Sequence, residues 1–507
     1  MNDSRSKSTK RNIYVGLVYR SVSIFFPFII RTVILRVLGE EYVGISGLFA
    51  SLLSVLNLAD LGFSSAIIFN MYKPLAEGDR ETVCGLLSFY RKIYIYVGSF
   101  ILVAGIVVTP FLKFFIKGNI PTGVNIYLLF IIYLVDAVVS YFLYAYKSAL
   151  LNATQRLDIS NLIQLIVQTI KYGLQIIVLL WVKNLYIYVM VSVIATAFAN
   201  IITAYITNKK YPEYQSRGKI AKSKQKEIRS QVGGLIIGKL SDTSRNSFDS
   251  IVLSIFLGLT AVTIYNNYYY IYNAVYGILI IITQAMQASV GNSIATENIK
   301  KNYKDLRKFQ FIFMWIVSWC TICLVCLYQS FMKIWVGEKL LLSNFNMVLF
   351  CIYFFSINLN NMRNLYFVGC GLWKEGKKSF LLEAILNLIL NIILGYFWGV
   401  SGILLATIIT IVVFNYVCRT NILFDKYFKM NPKQFYMDNI LFSCVTFIAC
   451  SISVLICNQI RASEYMGIII RMIVCIFVPN IVFGLCYLKH PLFKEAYSFI
   501  KFQVSNR

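Results

Sequence analysis

The chain has a single histidine, His490, in 507 residues. That argues against a histidine-based zinc site or a Ser-His-Asp triad. Acidic side chains are also scarce, 22 against 48 Lys and Arg, which leaves a formal charge of +26. Charge of either sign makes up only 14% of the residues, where soluble domains carry about 25%. No Walker A sequence and no G-x-S-x-G occurs, so the chain carries no ATPase or serine-hydrolase signature. Proline, the main helix breaker, appears only eight times.

What is present is apolar. The chain is 58% hydrophobic with a mean hydropathy of +0.68. Low charge and high apolarity together exclude an ordinary soluble enzyme and a disordered chain. A bilayer core needs about 20 mostly apolar residues as helix. Fourteen segments qualify: 13–38, 42–70, 93–112, 123–147, 157–182, 184–207, 233–258, 260–293, 309–331, 344–368, 377–399, 400–422, 437–458 and 465–487. The fold class is therefore an all-α polytopic membrane protein.

The basic residues test that count. With the N-terminus in the cytosol, 34 Lys and Arg fall on cytosolic segments, 6 on external ones and 8 inside spans. This follows the positive-inside rule and places both termini in the cytosol. Most of the basic excess is thus topology and needs no nucleic-acid partner. The basic start "MNDSRSKSTKRN" precedes an apolar segment with Arg20 and Arg31 and no small-residue cleavage site. It reads as a tail before a retained span rather than a signal peptide.

The longest linker, 208–232, is basic and follows the sixth span. The organisation is a tail (1–12), an N-lobe of six spans (13–207), the linker, a C-lobe of six spans (233–422), and two further spans with a cytosolic tail (423–507). A shift of 219 residues lays 32–45 over 251–264, with Gly39 over Gly258 and Arg20 over Lys239. Duplicated lobes of this kind are common in transporters. External loops of about a dozen residues at most leave little room for the catalytic groups of a membrane polymerase or ligase.

Cys320, Cys323 and Cys326 form C-x2-C-x2-C, which has an iron–sulfur spacing. No fourth Cys or Pro follows at the required distance, so they read as packing, and no metal or cofactor is assigned.

Thirteen ionisable residues lie inside the spans: Arg20, Arg31, Arg36, Asp60, Asp136, Lys171, Lys239, Asp242, Arg245, Asp249, Arg363, Glu383 and Arg471. Each costs about 2.5–3.5 kcal/mol near a helix centre, so they should face one another or a wet cavity. Arg20, Pro27 and Arg31 share one face of the first span, a kinked wall suited to an anion. Lys239, Asp242 and Asp249 line one side of the seventh span, and Arg245 can pair with either aspartate at i,i+3 or i,i+4. This seam is either a cavity wall or a structural ion-pair seam. Arg363, among four asparagines in "NLNNMRNLYF", reads as water-facing. Asp60, Asp136, Lys171 and Glu383 are coupling or structural candidates. Asp136 and Lys171 can pair with each other, and Glu383, Asn387 and Asn391 form one polar stripe. Arg36 and Arg471 lie near outer ends, where a long side chain snorkels. The run "YNNYYYIYNAVY" (265–276) reads as an interfacial aromatic belt, with sugar stacking as the other possibility.

Three stretches resemble a known family: "LGEEYVGISGLFASLLSVLNLADLGFSSAIIFNMYKPLAEGD" (38–79), 248–273 and 371–407. The most specific elements are Asp60-Leu61-Gly62-Phe63 and "MYKPLAEGD". The chain is similar to the polysaccharide repeat-unit flippases, polysaccharide transporters of the multidrug/oligosaccharidyl-lipid/polysaccharide exporter superfamily. The resemblance implies a non-enzymatic transporter in the bacterial cytoplasmic (inner) membrane. Its substrate would be an undecaprenyl-diphosphate-linked oligosaccharide for capsule, exopolysaccharide or O-antigen, moved by alternating access around a central polar cavity. Arg20, Arg31 and Lys239 match the family's cavity cations, while Asp242 and Asp249 depart from a purely cationic wall. Partners would be that substrate, membrane lipids, and a polysaccharide polymerase with export machinery. The alternative is a cation-coupled multidrug antiporter of the same superfamily, which would favour an acidic cavity. The intramembrane surplus of basic over acidic residues, 8 against 5, favours an anionic substrate.

Overall fold

A computed structural model describes the backbone of residues 2–505 except 61, 119 and 122. Side chains are described outside 1–14, 17, 59–61, 119, 122, 229–231, 233–240, 242, 244, 246, 500 and 502–507. Every regular element among the described residues is helical. In hydrocarbon a helix satisfies its own backbone, so this all-α, multi-pass architecture follows from the composition.

Ten helices among the described residues are long and apolar enough to cross a bilayer. The bent pair Ile126–Phe142 and Ala145–Ala153, with 47° between its parts, makes an eleventh span. One of the ten, the 56-residue run Trp373–Phe428, holds two antiparallel arms. Its reversal is at Gly399, with φ 57° and ψ −130°. The expected spans 377–399 and 400–422 are therefore one hairpin with no loop. The expected second span falls on α2 (Glu40–Leu56), a short 3-10 turn and α3 (Phe63–Glu77). The seventh falls within α9 (Lys222–Leu257). Fourteen remains an expectation from hydropathy.

The chain forms two compact units, Met1–Thr263 and Ile264–Arg507. In the first, α1 (Asn2–Val37) packs along α7 (Leu157–Ile177). Beside them, α5 (Ile126–Phe142) packs on α4 (Arg80–Val108) and α8 (Leu185–Lys210). Polar caps start several of these helices. Asp79 accepts from the Thr82 N–H, Asn125 from Tyr127 and Leu128, and Asn184 from Tyr186 and Ile187. Each cap satisfies backbone donors that the helix leaves open. Ile45, Leu48, Phe49, Ile101, Leu129 and Phe130 form the centre of the core. α9 belongs to this unit and packs on α2 and α3. Its C-terminal end is held by Lys117, whose N–H donates to the Ser254 carbonyl (3.0 Å) and whose Nζ donates to the Phe256 carbonyl (2.7 Å).

The weak internal repeat has a structural counterpart. Gly39 separates α1 from α2 with φ 114°, ψ 171°. Its aligned partner Gly258 separates α9 from α10 (Leu259–Thr296) with φ 86°, ψ −178°. Both conformations favour glycine. Under the same shift, Glu40 matches Leu259 and Gly44 matches Thr263. Thr263 Oγ1 donates to the Glu40 carbonyl at 2.5 Å. In the exchanged contact, a Cβ at Gly44 would lie 2.2 Å from the Leu259 carbonyl oxygen. The starts of α2 and α10 thus meet as equivalents, by a local two-fold relation.

In the second unit α11 (Ile299–Val336) is the hub. It packs against α12 (Asn344–Asn358), α16 (Lys433–Asn458), α17 (Glu464–Tyr487) and α18 (Pro491–Ser505). Ion pairs fasten both ends of this group. Arg307 donates twice to Asp438 (2.6 and 3.1 Å), and Lys333 bridges Glu338 (2.7 Å) and Glu464 (2.9 Å). Between them, Trp315 Nε1 donates to Asn480 Oδ1 (2.8 Å) and Trp319 Nε1 to the Cys475 carbonyl (2.7 Å). The tyrosine run of α10 corrects the belt expectation. Tyr265, Tyr268 and Tyr272 are buried, and Tyr272 stacks on Tyr353 with centroids 4.9 Å apart. The rings bond within the unit, since Tyr328 donates to the Tyr268 carbonyl and Tyr268 to Gln329.

Close approach of backbone fixes the junction at Gly44 and the hairpin at Gly402, where a Cβ would lie 1.9 Å from the Leu394 carbonyl oxygen. Gly44→Ala and Gly402→Ala should each destabilise the detergent-solubilised protein by about 1–3 kcal/mol, read as a lower thermal midpoint. Gly173→Ala, with nothing within 4 Å of the new Cβ, should leave the midpoint unchanged.

Candidate functional site

The site is built from the first unit, because its polar interior gathers several of the predicted charges. Arg20 is exposed on α1, and Arg31, three turns on, is half-buried. Arg31 Nη2 donates to the Thr263 carbonyl at 3.4 Å, which aims it at the first turn of α10. Pro27 lies between them, inside the helix. The two cations of the predicted stripe therefore differ in setting: one is open, and one points to the α2–α10 junction.

Across α1 lie α5, α7 and α8. Asp136 accepts from Thr196 Oγ1 at 2.9 Å, so its carboxylate is held by a hydroxyl of α8. Lys171 lies over the ring of Tyr172, 4.5 Å from the centroid. Asp136 and Lys171 feel each other's charge without forming an ion pair, the simple pairing weighed from sequence. Tyr188 is within electrostatic reach of Asp136, Arg31, Tyr133 and Tyr172. Tyr133 donates to Ser46 Oγ at 2.9 Å, and Gln175 Nε2 to Ser192 Oγ at 2.8 Å. The result is a polar interior of one anion, two cations and several hydroxyls. Lys171 also borders an apolar groove of about 280 Å³ between α7 and α8, lined by Ile170, Leu174, Val191 and Phe198. A site with a cation at the edge of an apolar channel suits an amphiphile with an anionic end.

On α9, Arg245 and Asp249 are buried, at 6% and 1% exposure. Arg245 Nη1 donates to Ser241 Oγ at 3.5 Å, one turn away. Lys239, Asp242 and Asp60 have side chains outside the described residues.

The second unit treats its charges differently. Glu383, fully buried, pairs with Arg419, whose guanidinium lies 3.6 Å from the centroid of Phe380. The stripe continues as Asn387 Nδ2 bonds to Thr407 Oγ1 (3.2 Å) and Thr410 Oγ1 (3.4 Å). Its partners are the opposite arm of the hairpin, the helix–helix bonding considered from sequence. Arg419 was missed because, by the topology expected from sequence, it falls near a cytosolic span end, where Lys and Arg usually mark sidedness. Reflection of Glu383 about Gly399 falls on Asn415, one turn short of Arg419, so the hairpin alone does not single it out.

Arg363 is not water-facing. It is 1% exposed, and its Nη2 donates to Asn360 Oδ1 (2.8 Å) and Asn415 Oδ1 (2.7 Å). One of the four asparagines that suggested water, Asn360, is its partner, and the other partner, Asn415, comes from the hairpin. Its Nε and Nη1 are buried without hydrogen-bond partners.

Removing one member of a buried ion pair strands the other, at a cost of about 3–5 kcal/mol. Arg419→Ala should therefore sharply lower the thermal midpoint in detergent. The double variant Glu383→Leu with Arg419→Met, which removes both charges, should recover most of that loss. Equal midpoints for Arg419→Ala and wild type would show that the pair contributes nothing.

A sequence model of a family described as polysaccharide biosynthesis protein matches residues 9–287. No curated protein sequence matches the chain. Among solved structures, the chain is similar to the lipid II flippase MurJ in an inward closed conformation. The TM-score is 0.69 at 13% identity, over 94% of this chain and 99% of that one. It is also similar to a mutant of the MATE transporter VcmN of Vibrio cholerae, with TM-score 0.56 and 13% identity, over 84% and 99% of the two chains. A third likeness is to a MOP superfamily transporter from Pyrococcus furiosus whose binding pocket is described as reversed in polarity. There the TM-score is 0.55 at 13% identity, over 84% and 97%. These likenesses establish a shared transporter fold.

Proposed function

Because the chain belongs to the polysaccharide biosynthesis protein family, we propose that it is a flippase for lipid-linked oligosaccharides. The match over residues 9–287 carries the reading, since that segment contains Arg20, Arg31 and Lys239. A diphosphate taken out of water needs cationic hydrogen-bond partners, and unpaired desolvation would be prohibitive. In this proposal Arg20, exposed, is the first contact, and Arg31 and Lys239 complete the binding. Arg245, Asp249 and Asp242 adjust the field around it, and Asn, Ser and Tyr side chains meet sugar hydroxyls. Asp60, Asp136, Lys171 and Glu383 are the coupling or structural set. The apolar groove beside Lys171 supports an amphiphilic substrate with a polyprenyl tail such as undecaprenyl diphosphate.

The setting in this proposal is the bacterial cytoplasmic membrane, with both termini in the cytosol. The oligosaccharide units would serve capsule, exopolysaccharide or O-antigen synthesis, passing from cytosolic to external face by alternating access. A polymerase and export machinery would take up the product. The likeness to MATE transporters favours a second reading, a cation-coupled multidrug antiporter. The basic surplus inside the spans runs against it, because cationic drugs need an acidic site.

Deleting the gene should trap lipid-linked repeat units on the cytosolic face, assayed in inverted and right-side-out vesicles. Drug sensitivity without trapped glycan would favour the antiporter. A charge-assisted hydrogen bond contributes about 1.5–3 kcal/mol, which is roughly tenfold or more in binding. Arg20→Ala and Lys239→Ala should therefore each cut polymer export about tenfold at normal membrane abundance. Normal export from the double variant would refute the assignment.

A further inference from the structure

The C-x2-C-x2-C motif of α11 looked like packing when only its spacing was visible. The fold adds two cysteines from other helices. Cys326, Cys457 of α16 and Cys475 of α17 are all buried, with their sulfur atoms within 4.8 Å of one another. Cys323, three residues before Cys326 and so one turn away, also neighbours the Cys475 sulfur. This is the one trio of metal-ligating side chains that converges in this way among the described residues.

The surroundings fix the arrangement. Trp319 Nε1 holds the Cys475 carbonyl at 2.7 Å, which sets the height of α17 against α11. One turn from the thiols, Arg471 donates to Ser330. Ser330 lies four residues after Cys326, and Arg471 four before Cys475. The guanidinium acts electrostatically on both Cys457 and Cys475.

We propose that Cys326, Cys457 and Cys475 bind a soft d10 metal ion of the zinc(II) class as three thiolates, with the Cys323 thiol beside them. Soft thiolates select such ions. Zinc–sulfur bonds of about 2.3 Å in a tetrahedron bring the sulfurs to about 3.8 Å, a contraction of at most about 1 Å from a cluster whose sulfurs lie within 4.8 Å. On binding, three S–H protons pass to solvent and three metal–sulfur bonds form. A divalent ion with three thiolates carries one net negative charge, which Arg471 balances. The ion would fasten α16 and α17 to α11 by coordination.

The test uses the full chain in detergent, reduced and free of oxygen, titrated with cadmium(II). Wild type should take up one equivalent, with sulfur-to-metal charge-transfer absorption, about three protons released and a raised thermal midpoint. Cys326→Ser and Cys475→Ser should lose the absorption. Cys444→Ser and Cys486→Ser, at exposed thiols, should keep it. Cys457→Ala is the second variant if Cys475→Ser fails to fold, and it too should lose the band. No absorption in a wild type whose thiols all react as free overturns the proposal, leaving packing only. So does a band that survives in the cluster variants, or a wild type in which two cluster thiols are already joined as a disulfide.

Discussion

A carboxylate moved from water into hydrocarbon loses solvation that only other parts of the chain can replace. Glu383 is in that position, and Arg419 of the opposite hairpin arm replaces it. Much else in the second unit follows from that pairing. The two arms must run antiparallel with almost no loop, which Gly399 and Gly402 permit. Asn387 of the same stripe then faces threonines across the hairpin. Arg363, nearby, is gathered in by Asn360 and Asn415. Two of its nitrogens stay unbonded, so the unit carries an unmet polar demand there.

The first unit meets the same demand with different groups. Asp136 is held by a threonine and Lys171 by an aromatic face, while Arg31 donates to a backbone carbonyl.

The apolar periodicity of the chain displays most of the helices, and two glycines 219 residues apart locate equivalent joints in the repeat. Those features are local in sequence, so they are legible there. Arg419 is not, because a charge near a span end has the same appearance whether it meets solvent or folds back on a hairpin. The tyrosines of α10 are misleading for a similar reason. Aromatic rings near a span end serve an interface or a core equally well, and only neighbours such as Tyr353 decide between them. Of the candidate site, the charged residues were visible and their partners were not, since partners such as Thr196 and Ser46 are chemically ordinary and distant along the chain.

The second arm of the hairpin is wound as π-helix over Ile411–Cys418 and again over Phe424–Phe428. A π turn accommodates one residue more than an α turn, so Arg419 meets Glu383 in a register that ordinary helix would not give it. The pairing is therefore written in chain length as well as in side chains. Losing a single residue from 411–418 would rotate Arg419 away from its carboxylate without altering either group.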